Sequence, residues 1–450
     1  MKAAGQQMEM IVAPENLCLA YWRAAKGKRA KADCRQFSQR LDEELETLRT
    51  DLVSGKVHVG DYRYFTIRDP KQRRICAASF RERVMHHALM NVCEPVFERA
   101  AIFDSYACRK AKGRLAAIER AYGYARTHRW FLKMDVRKYF DSIEQSILLS
   151  LLGRKFKDPA LLRLFGSIIS SYETAPGKGL PIGNLTSQHF ANFYLGGLDR
   201  FVKEELRRRA YVRYMDDCVV WGDGPEELKV IRDGVREYLA VELKLELKAN
   251  PVINRTAVGM DFLGYRIFPQ TVRLARRSKV RFARKFRRYE QAYLRGQWTE
   301  LHLQQRVQAL LAFVMPADTW AFRKHVLDRF ACLPDGEEGS TFLSRAQRRQ
   351  GVVAKGLEPG DPGRQLEQQR QELPGHEPQQ QLAGQQEQQQ RVPVRSAPSS
   401  IPHGGTDPAA ILSWEGAMAQ ANTESPPGVS SPAGGGIERS GRAVAEETAL

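Results

Sequence analysis

Residues 211–222 have the sequence YVRYMDDCVVWG, and this stretch decides the fold. Two apolar runs flank the pair Asp216-Asp217, which predicts two strands joined by a tight turn. Two adjacent carboxylates at the tip of a hairpin are costly unless a cation lies beside them. The alternative is an Asp-rich turn with no chemistry, because a bare Tyr-x-Asp-Asp is a weak signal on its own.

Residues 130–135 supply a third carboxylate of the same kind. The run WFLKMD is short and apolar, so it predicts a buried strand that ends in Asp135. Three carboxylates on adjacent strands suit a two-metal phosphoryl-transfer site. One Mg²⁺ would activate an attacking 3′-hydroxyl and the other would hold the triphosphate, and Asp oxygens are the ligands that Mg²⁺ prefers.

The rest of the first 335 residues interleaves helical and strand patterns, which predicts an α+β domain. The segments with a helical pattern are 36–52, 79–100 with an interruption at Pro95, 114–127, 188–209, 223–240 and 279–330. One or two further strands are expected within 257–268.

Six motifs, in order, make residues 55–335 resemble a reverse transcriptase. They are SYACRK (105–110), Asp135 with Phe140 (motif A), GLPIGNLTSQ (179–188, motif B), YMDD (214–217, motif C), LKLELK (243–248, motif D) and DFLGY (261–265, motif E, the primer grip). The resemblance implies a right-hand polymerase with an antiparallel palm sheet. Its parts would be a helical extension (1–54), fingers (55–130), palm (131–268, with a finger insertion around 141–180), helical thumb (269–335) and disordered tail (336–450).

The resemblance also implies ligands and site residues. Two Mg²⁺ ions, dNTPs, a template RNA and a cDNA or DNA primer would bind. Asp135 and Asp216 would be metal ligands, Val136 joins the candidate metal set, and Asp217 would be an essential but less direct carboxylate. Phe140 would be the steric gate against the ribose 2′-hydroxyl, or else a core aromatic residue.

Four other residues are candidates for the incoming nucleotide. Arg109 would bind the triphosphate, since a guanidinium forms two parallel bonds to phosphate. Arg74 or Arg73 would assist, or would be solvated charges. Lys248 is a candidate general acid for pyrophosphate, or a loop lysine in another register. The segment 110–114 (KAKGR) departs from the Gly-x-Gly and His that often follow in such enzymes, which puts the details of nucleotide binding in question.

Motif B separates subfamilies. Many group II intron enzymes carry Ser-Pro where this chain has Ser187-Gln188, and Ile182-Gly183-x-x-x-Ser187-Gln188 resembles the enzymes of diversity-generating retroelements. Those enzymes copy a template RNA with errors at adenines, and the cDNA replaces a variable repeat in a target gene. Their known partner is an accessory variability protein, a small basic helical oligomer. Gln188 is expected on the first turn of the helix lining the nascent base pair, or as a cap of backbone groups.

Two other functions stay open. One is an intron-like or defence-associated reverse transcriptase of ordinary fidelity. The other is a non-catalytic RNA-binding protein on a polymerase scaffold, against which the three carboxylates argue.

Charge supports a polyanionic partner. The chain carries 70 Lys and Arg against 52 Asp and Glu, a net charge of +18. Residues 273–295 hold ten Lys or Arg and one acid, with Phe282, Phe286, Tyr289 and Tyr293 at helical spacing. This pattern predicts a thumb helix with an aromatic core face and a basic face on the template–primer backbone, or a merely solvated basic face. The template–primer candidates are Arg281, Arg284, Arg288 and Gly264.

The C-terminal segment has a different composition. Residues 365–390 contain 12 glutamines in 26 residues, too polar to form a core, which predicts a disordered tail from 336. Glutamine is encoded by CAA or CAG, and CAA repeats shifted by one nucleotide read AAC, which is asparagine. The tail could therefore be an out-of-frame read of an Asn-rich template repeat. An ordinary Gln-rich tail is the alternative.

Neither cysteines nor apolar runs point to secretion or a membrane. The seven cysteines are scattered without a CxxC pair, which favours a reducing compartment. No apolar segment reaches signal-peptide or spanning length. A cytoplasmic protein is expected.

Overall fold

The computed structural model describes residues 6–68 and 72–330, so the predicted tail (336–450) and Cys332 lie outside the described residues. The fold is the predicted α+β right-hand polymerase arrangement of helices and antiparallel sheets. The helices are α1 (Gln6–Val12), α2 (Pro14–Ala25), α3 (Ala32–Gln39), α4 (Leu41–Ser54), α5 (Phe80–Ala100), α6 (Arg114–Thr127), α7 (Tyr139–Ser142), α8 (Gln145–Lys155), α9 (Pro159–Ser170), α10 (Leu185–Tyr194), α11 (Gly196–Arg200), α12 (Pro225–Glu242), α13 (Arg276–Leu294), α14 (Glu300–Val314) and α15 (Trp320–Phe330).

The strands form three antiparallel sheets. They are β1 (Arg63–Ile67), β2 (Arg73–Ala77), β3 (Trp130–Asp135), β4 (Tyr211–Tyr214), β5 (Asp217–Gly222), β6 (Val252–Arg255), β7 (Met260–Phe262), β8 (Tyr265–Ile267) and β9 (Val272–Leu274). The strand orders are β1-β2, β4-β5-β3-β6 and β7-β8-β9. A π-helix (Phe201–Glu205) and a 3₁₀-helix (Thr256–Val258) complete the regular structure. Among the described residues, no helix is both long enough and apolar enough to cross a membrane.

The four-stranded sheet lies within the predicted palm, and its central strands are buried. Side chains alternate across the sheet, so Leu132 and Val220 enter one core while Phe131 and Val219 enter the other. Helices pack against both faces of the sheet and exclude water from it. The predicted strands at 130–135 and 211–222 are confirmed, whereas β6 was not expected because its burial is only partial.

The breaks in two predicted helices differ from those expected from the sequence. Residues 36–52 form two helices that meet at Arg40, whose φ of −127° and ψ of 44° are not helical. The break lets Phe37 and Leu48 both enter the core. In contrast, α5 runs unbroken through Pro95. Proline removes one backbone hydrogen bond, but the buried face of this 21-residue helix holds the segment together.

The predicted helix 188–209 is three shorter elements. It starts earlier, at Leu185, and breaks at Leu195, before Gly196 and Gly197. Glycine is a poor helix former. Gly197 also packs so closely on Tyr238 that a Cβ there would lie 2.5 Å from the phenol oxygen.

The predicted helical segment 279–330 forms three helices, α13, α14 and α15. The basic part is α13, and most of its aromatic side chains face the core. Phe282, Phe286 and Tyr289 are buried. Tyr293 was expected on the same face and is instead 40% exposed, one residue before the helix ends.

Candidate active site

The three predicted carboxylates lie together at one end of the palm sheet. Asp135 ends β3 and pairs in register with Asp217, the first residue of β5. Asp216 occupies the two-residue turn between β4 and β5 with Met215, whose φ is +57°. Turns of this length match the twist of a hairpin when the backbone takes positive φ values. The hairpin therefore presents Asp216 and Asp217 beside Asp135.

Burial disfavours charge on two of these carboxylates. Desolvation, together with the neighbouring Asp135 carboxylate, raises the pKa of Asp216 to about 7. Desolvation also raises the pKa of Asp217 to about 6, against the opposing effect of the Lys133 ammonium. Cations that entered the site would offset this cost and stabilise the ionised carboxylates.

Two lysines contact the carboxylates. Lys133 Nζ lies 3.2 Å from Asp217 Oδ2, and Lys248 Nζ forms an ion pair with Asp135 Oδ2. The backbone N–H of Lys248 also donates to the carbonyl of Asp135 at 2.9 Å, which fixes motif D beside motif A. Lys248 was predicted at the site. Lys133 was missed, although residues two apart on a strand share a face and Lys133 precedes Asp135 by two.

The carboxylates retain free oxygens suited to a metal ion. Asp135 Oδ1 and Asp217 Oδ1 are buried and have no hydrogen-bond partner within the described residues. An orphaned anionic oxygen is costly, and a divalent cation would satisfy it. Within 6–68 and 72–330, no three acidic, His or Cys side chains are gathered as a finished metal cage. Lysines pair with two of the three aspartates in this arrangement. Val136 has a buried apolar side chain, so only its carbonyl oxygen suits a metal.

Motifs A and B meet behind the carboxylates. Phe140 is half-buried on α7, and its carbonyl accepts the N–H of Leu180 at 2.8 Å. Gln188 lies on the first turn of α10 and is 7% exposed. Its Oε1 accepts a hydrogen bond from the Cys108 thiol at 3.2 Å. The Gln188 amide thus contacts the segment 105–110, which is predicted to belong to the fingers.

The two arginines expected at the triphosphate have protein partners. Arg109 donates to the Glu98 carboxylate at 3.0 Å and to the carbonyls of Ile102 and Ser105 at 2.5 and 2.7 Å. A triphosphate would have to replace some of these bonds. Arg74 stacks on Tyr64 at 4.0 Å in the β1–β2 hairpin. Nucleotide binding by Arg109, Arg74 and neighbouring Arg73 stays a prediction.

The template–primer candidates lie on α13 and in the adjoining β7-β8-β9 sheet. Arg284 and Arg288 are exposed on α13 and line a surface cleft together with Arg287. Arg281 is half-buried. Gly264 has a φ of +92° in the turn between β7 and β8. A Cβ there would lie 3.1 Å from both Phe313 and Ser278, so the turn requires glycine.

Comparisons with known proteins agree with the site. A family model described as reverse transcriptase (RNA-dependent DNA polymerase) matches residues 67–267. Protein YkfC of Escherichia coli is 26% identical over 275 residues, which cover 51% of this chain and 72% of YkfC. The group II intron-encoded protein LtrA of Lactococcus lactis is 30% identical over 274 residues, 44% of each chain. An intron 2 protein of Saccharomyces cerevisiae is 21% identical over 257 residues, 43% of this chain and 30% of that one.

The chain therefore spans less than half the length of its intron-encoded relatives. Among solved structures, apo telomerase from Candida tropicalis matches with a TM-score of 0.38 and 11% identity over 53% of this chain and 54% of the telomerase chain.

Proposed function

We propose that this chain, whose residues 67–267 are a reverse transcriptase domain homologous to group II intron-encoded reverse transcriptases, copies a template-repeat RNA into adenine-mutagenised cDNA. The domain is an RNA-directed DNA polymerase. The mutagenic role in a diversity-generating retroelement is the proposal, together with the accessory variability protein as partner.

The observation that supports the mutagenic role is Gln188. A buried amide on the first turn of α10, held by the Cys108 thiol, stands where intron enzymes carry proline. Proline offers no side-chain donor or acceptor, whereas an amide offers both. Such a group beside the nascent base pair would alter how template and nucleotide are held, and this is where fidelity is set.

The polymerase chemistry follows from the carboxylates. Asp135, Asp216 and Asp217, with the carbonyl of Val136, would hold two Mg²⁺ ions, which supply activation of the 3′-hydroxyl and charge stabilisation of the triphosphate. Lys248 stands beside Asp135, where an ammonium can donate a proton to departing pyrophosphate. Phe140 would exclude a ribose 2′-hydroxyl by its bulk.

One alternative has direct support. The relatives YkfC and LtrA and the yeast intron protein favour an intron-like enzyme of ordinary fidelity. The non-catalytic alternative has less support, because an RNA-binding scaffold gains nothing from three clustered carboxylates beside anionic RNA.

An extension assay tests the proposal. The full chain, Mg²⁺, dNTPs and an RNA made from the suspected template repeat are incubated with and without the accessory protein, and the products are sequenced. Errors concentrated opposite template adenines are expected. Faithful cDNA would reject the mutagenic role and leave an intron-like or defence enzyme. A matched RNA in which the adenines are replaced shows whether the errors follow the base or its position.

A further inference from the structure

A buried arginine lies on the first strand of the catalytic hairpin. Arg213 belongs to β4, three residues before Asp216, and its side chain is 1% exposed. Its guanidinium binds Asp199 at two points, with Nε and Nη2 each 2.6 Å from a carboxylate oxygen. Asp199 is itself completely buried. This is a fork-to-fork ion pair, the geometry in which arginine holds a carboxylate most firmly.

The remaining Arg213 donors reach two other elements. Nη1 donates to Asn192 Oδ1 at 2.8 Å and to the carbonyl of Met215 at 3.1 Å. Nη2 donates to the carbonyl of Asn192 at 3.1 Å. Asn192 lies on α10, the motif B helix, and Met215 precedes Asp216 in the turn. One side chain therefore connects α10 and α11 to the turn that carries a candidate metal ligand.

The fingers join the same network. Asn192 Nδ2 donates to the carbonyl of Ala107 at 2.9 Å. The backbone N–H of Arg213 donates to the carbonyl of Asp104, and the Arg213 carbonyl accepts from the N–H of Tyr106. The finger segment 104–107 and the catalytic hairpin are thus held by the same two residues, Arg213 and Asn192.

Stability alone does not account for this arrangement. Removing two charges from water costs several kcal/mol, and well-packed apolar residues of similar volume are commonly as stable. What the ion pair provides is a single geometry, because a planar guanidinium with its donors engaged on several partners cannot rotate. The turn it binds is also strained, since a non-glycine residue at φ of +57° favours other conformations.

We propose that Arg213 is a positioning residue for the polymerase reaction, which aligns the Met215-Asp216 turn with the motif B helix through Asn192 and Met215. The proposal rests on the polymerase activity and is independent of the mutagenic role. Arg213 touches neither nucleotide nor metal in this role, and acts through the carbonyl that precedes Asp216.

The test is Arg213→Lys in the full chain. Lysine keeps the positive charge beside Asp199 but cannot serve Asp199, Asn192 and Met215 together. The kcat for single-nucleotide extension is expected to fall about 10–100-fold, the decrease typical of a small misplacement of reacting groups. The Mg²⁺ concentration for half-maximal rate is expected to rise, with template–primer affinity and the KM for dNTP within about threefold of the parent. Arg208→Lys is the matched control, because Arg208 pairs with Glu227 at the surface of the same palm.

Asn192→Ala is the second variant, and it decides the matter if Arg213→Lys does not fold. It removes the Oδ1 acceptor of Arg213 and the Nδ2 donor to Ala107, and leaves the Arg213–Asp199 pair intact, so the same shift in Mg²⁺ dependence is expected. Parent-like kcat and Mg²⁺ dependence in either folded variant would overturn the proposal. Faithful but active synthesis by the parent would reject only the mutagenic role, whereas an inactive parent would reject the polymerase function and this proposal with it.

Discussion

Asp216 and Asp217 carry the sharpest expectation at the scale of single residues. Replacing both with alanine removes two of the three carboxylates at the palm edge, so nucleotide incorporation should fall to background. RNA binding should persist, because the basic thumb is untouched. Filter binding and primer extension measured together check this, with Asp223→Ala just beyond the other end of β5 as the control. Continued synthesis by the double variant would show that the chemistry lies elsewhere.

Glu82 gives a pH dependence that is independent of catalysis. Burial raises the pKa of this carboxyl from 4.5 to about 7, and its Oε1 faces His86 Nε2 at 3.5 Å on α5. Because the folded pKa is raised, the neutral acid contributes stability that is complete below pH 4.5 and disappears as pH rises through 7.

Glu82→Gln keeps a neutral side chain at every pH. At pH 8 its free energy of unfolding should therefore exceed that of the parent by roughly 1–3 kcal/mol. Denaturant titration measures this as a higher midpoint concentration. The difference should vanish below pH 4.5, the ordinary pKa of the carboxyl. Glu46→Gln, on the exposed face of α4, is the matched control. Equal stability of parent and Glu82→Gln at pH 8 would contradict the assignment of a buried neutral carboxyl.

At the scale of elements, the β7–β8 turn depends on Gly264. Alanine at this position would have to adopt a positive φ, and its Cβ would crowd the ring of Phe313. Gly264→Ala should therefore destabilise the chain by about 2–3 kcal/mol. Gly296 also has a positive φ, of +69°, but open space beside it. Gly296→Ala should cost only about 1 kcal/mol. Thermal unfolding of both variants measures the difference, and equal destabilisation would show that the Phe313 ring moves aside easily.

The α13 helix carries an expectation about salt. Replacing Arg284 and Arg288 with glutamine removes two exposed charges while keeping the buried aromatic face. RNA affinity should weaken equally for unrelated sequences. The slope of its logarithm against the logarithm of salt concentration should fall by about one for each phosphate that the protein no longer neutralises. Arg236→Gln on α12 is a surface control of the same chemistry. An unchanged slope would support a merely solvated face.

Sequence patterns predicted the palm elements best. Periodicity identified β3, β4 and β5 because each is a short apolar run that borders one of the three aspartates. It missed the split at Arg40 and the break at Leu195, where side chains from distant elements decide where a helix stops. The site residues were likewise predicted only in part. The three aspartates follow from their motifs, and the spacing of Lys133 from Asp135 on one strand could have placed that lysine too. The Arg213–Asp199 pair depends on segments that are neighbours in space but distant along the chain.

At the scale of the whole molecule, we expect the polymerase activity not to depend on the tail. If residues from about 340 onward are an out-of-frame read of a template repeat, a chain ending at residue 335 should extend primers at the parent rate. Side-by-side kinetics on one RNA check this, with a second chain ending at 314 as the control that removes α15. Inactivity of the chain ending at 335 would show that the Gln-rich segment contributes to the enzyme.

The order of strands in the palm has a consequence for synthesis of the protein. β3 lies between β5 and β6, yet both partners follow it in the chain, beyond the fingers insertion and motif B. A ribosome making about 5–20 residues per second leaves the apolar β3 unpaired on both edges for several seconds. An unpaired apolar edge recruits other strands. Yield of native enzyme should therefore depend on the nascent chain being shielded until the YMDD hairpin emerges.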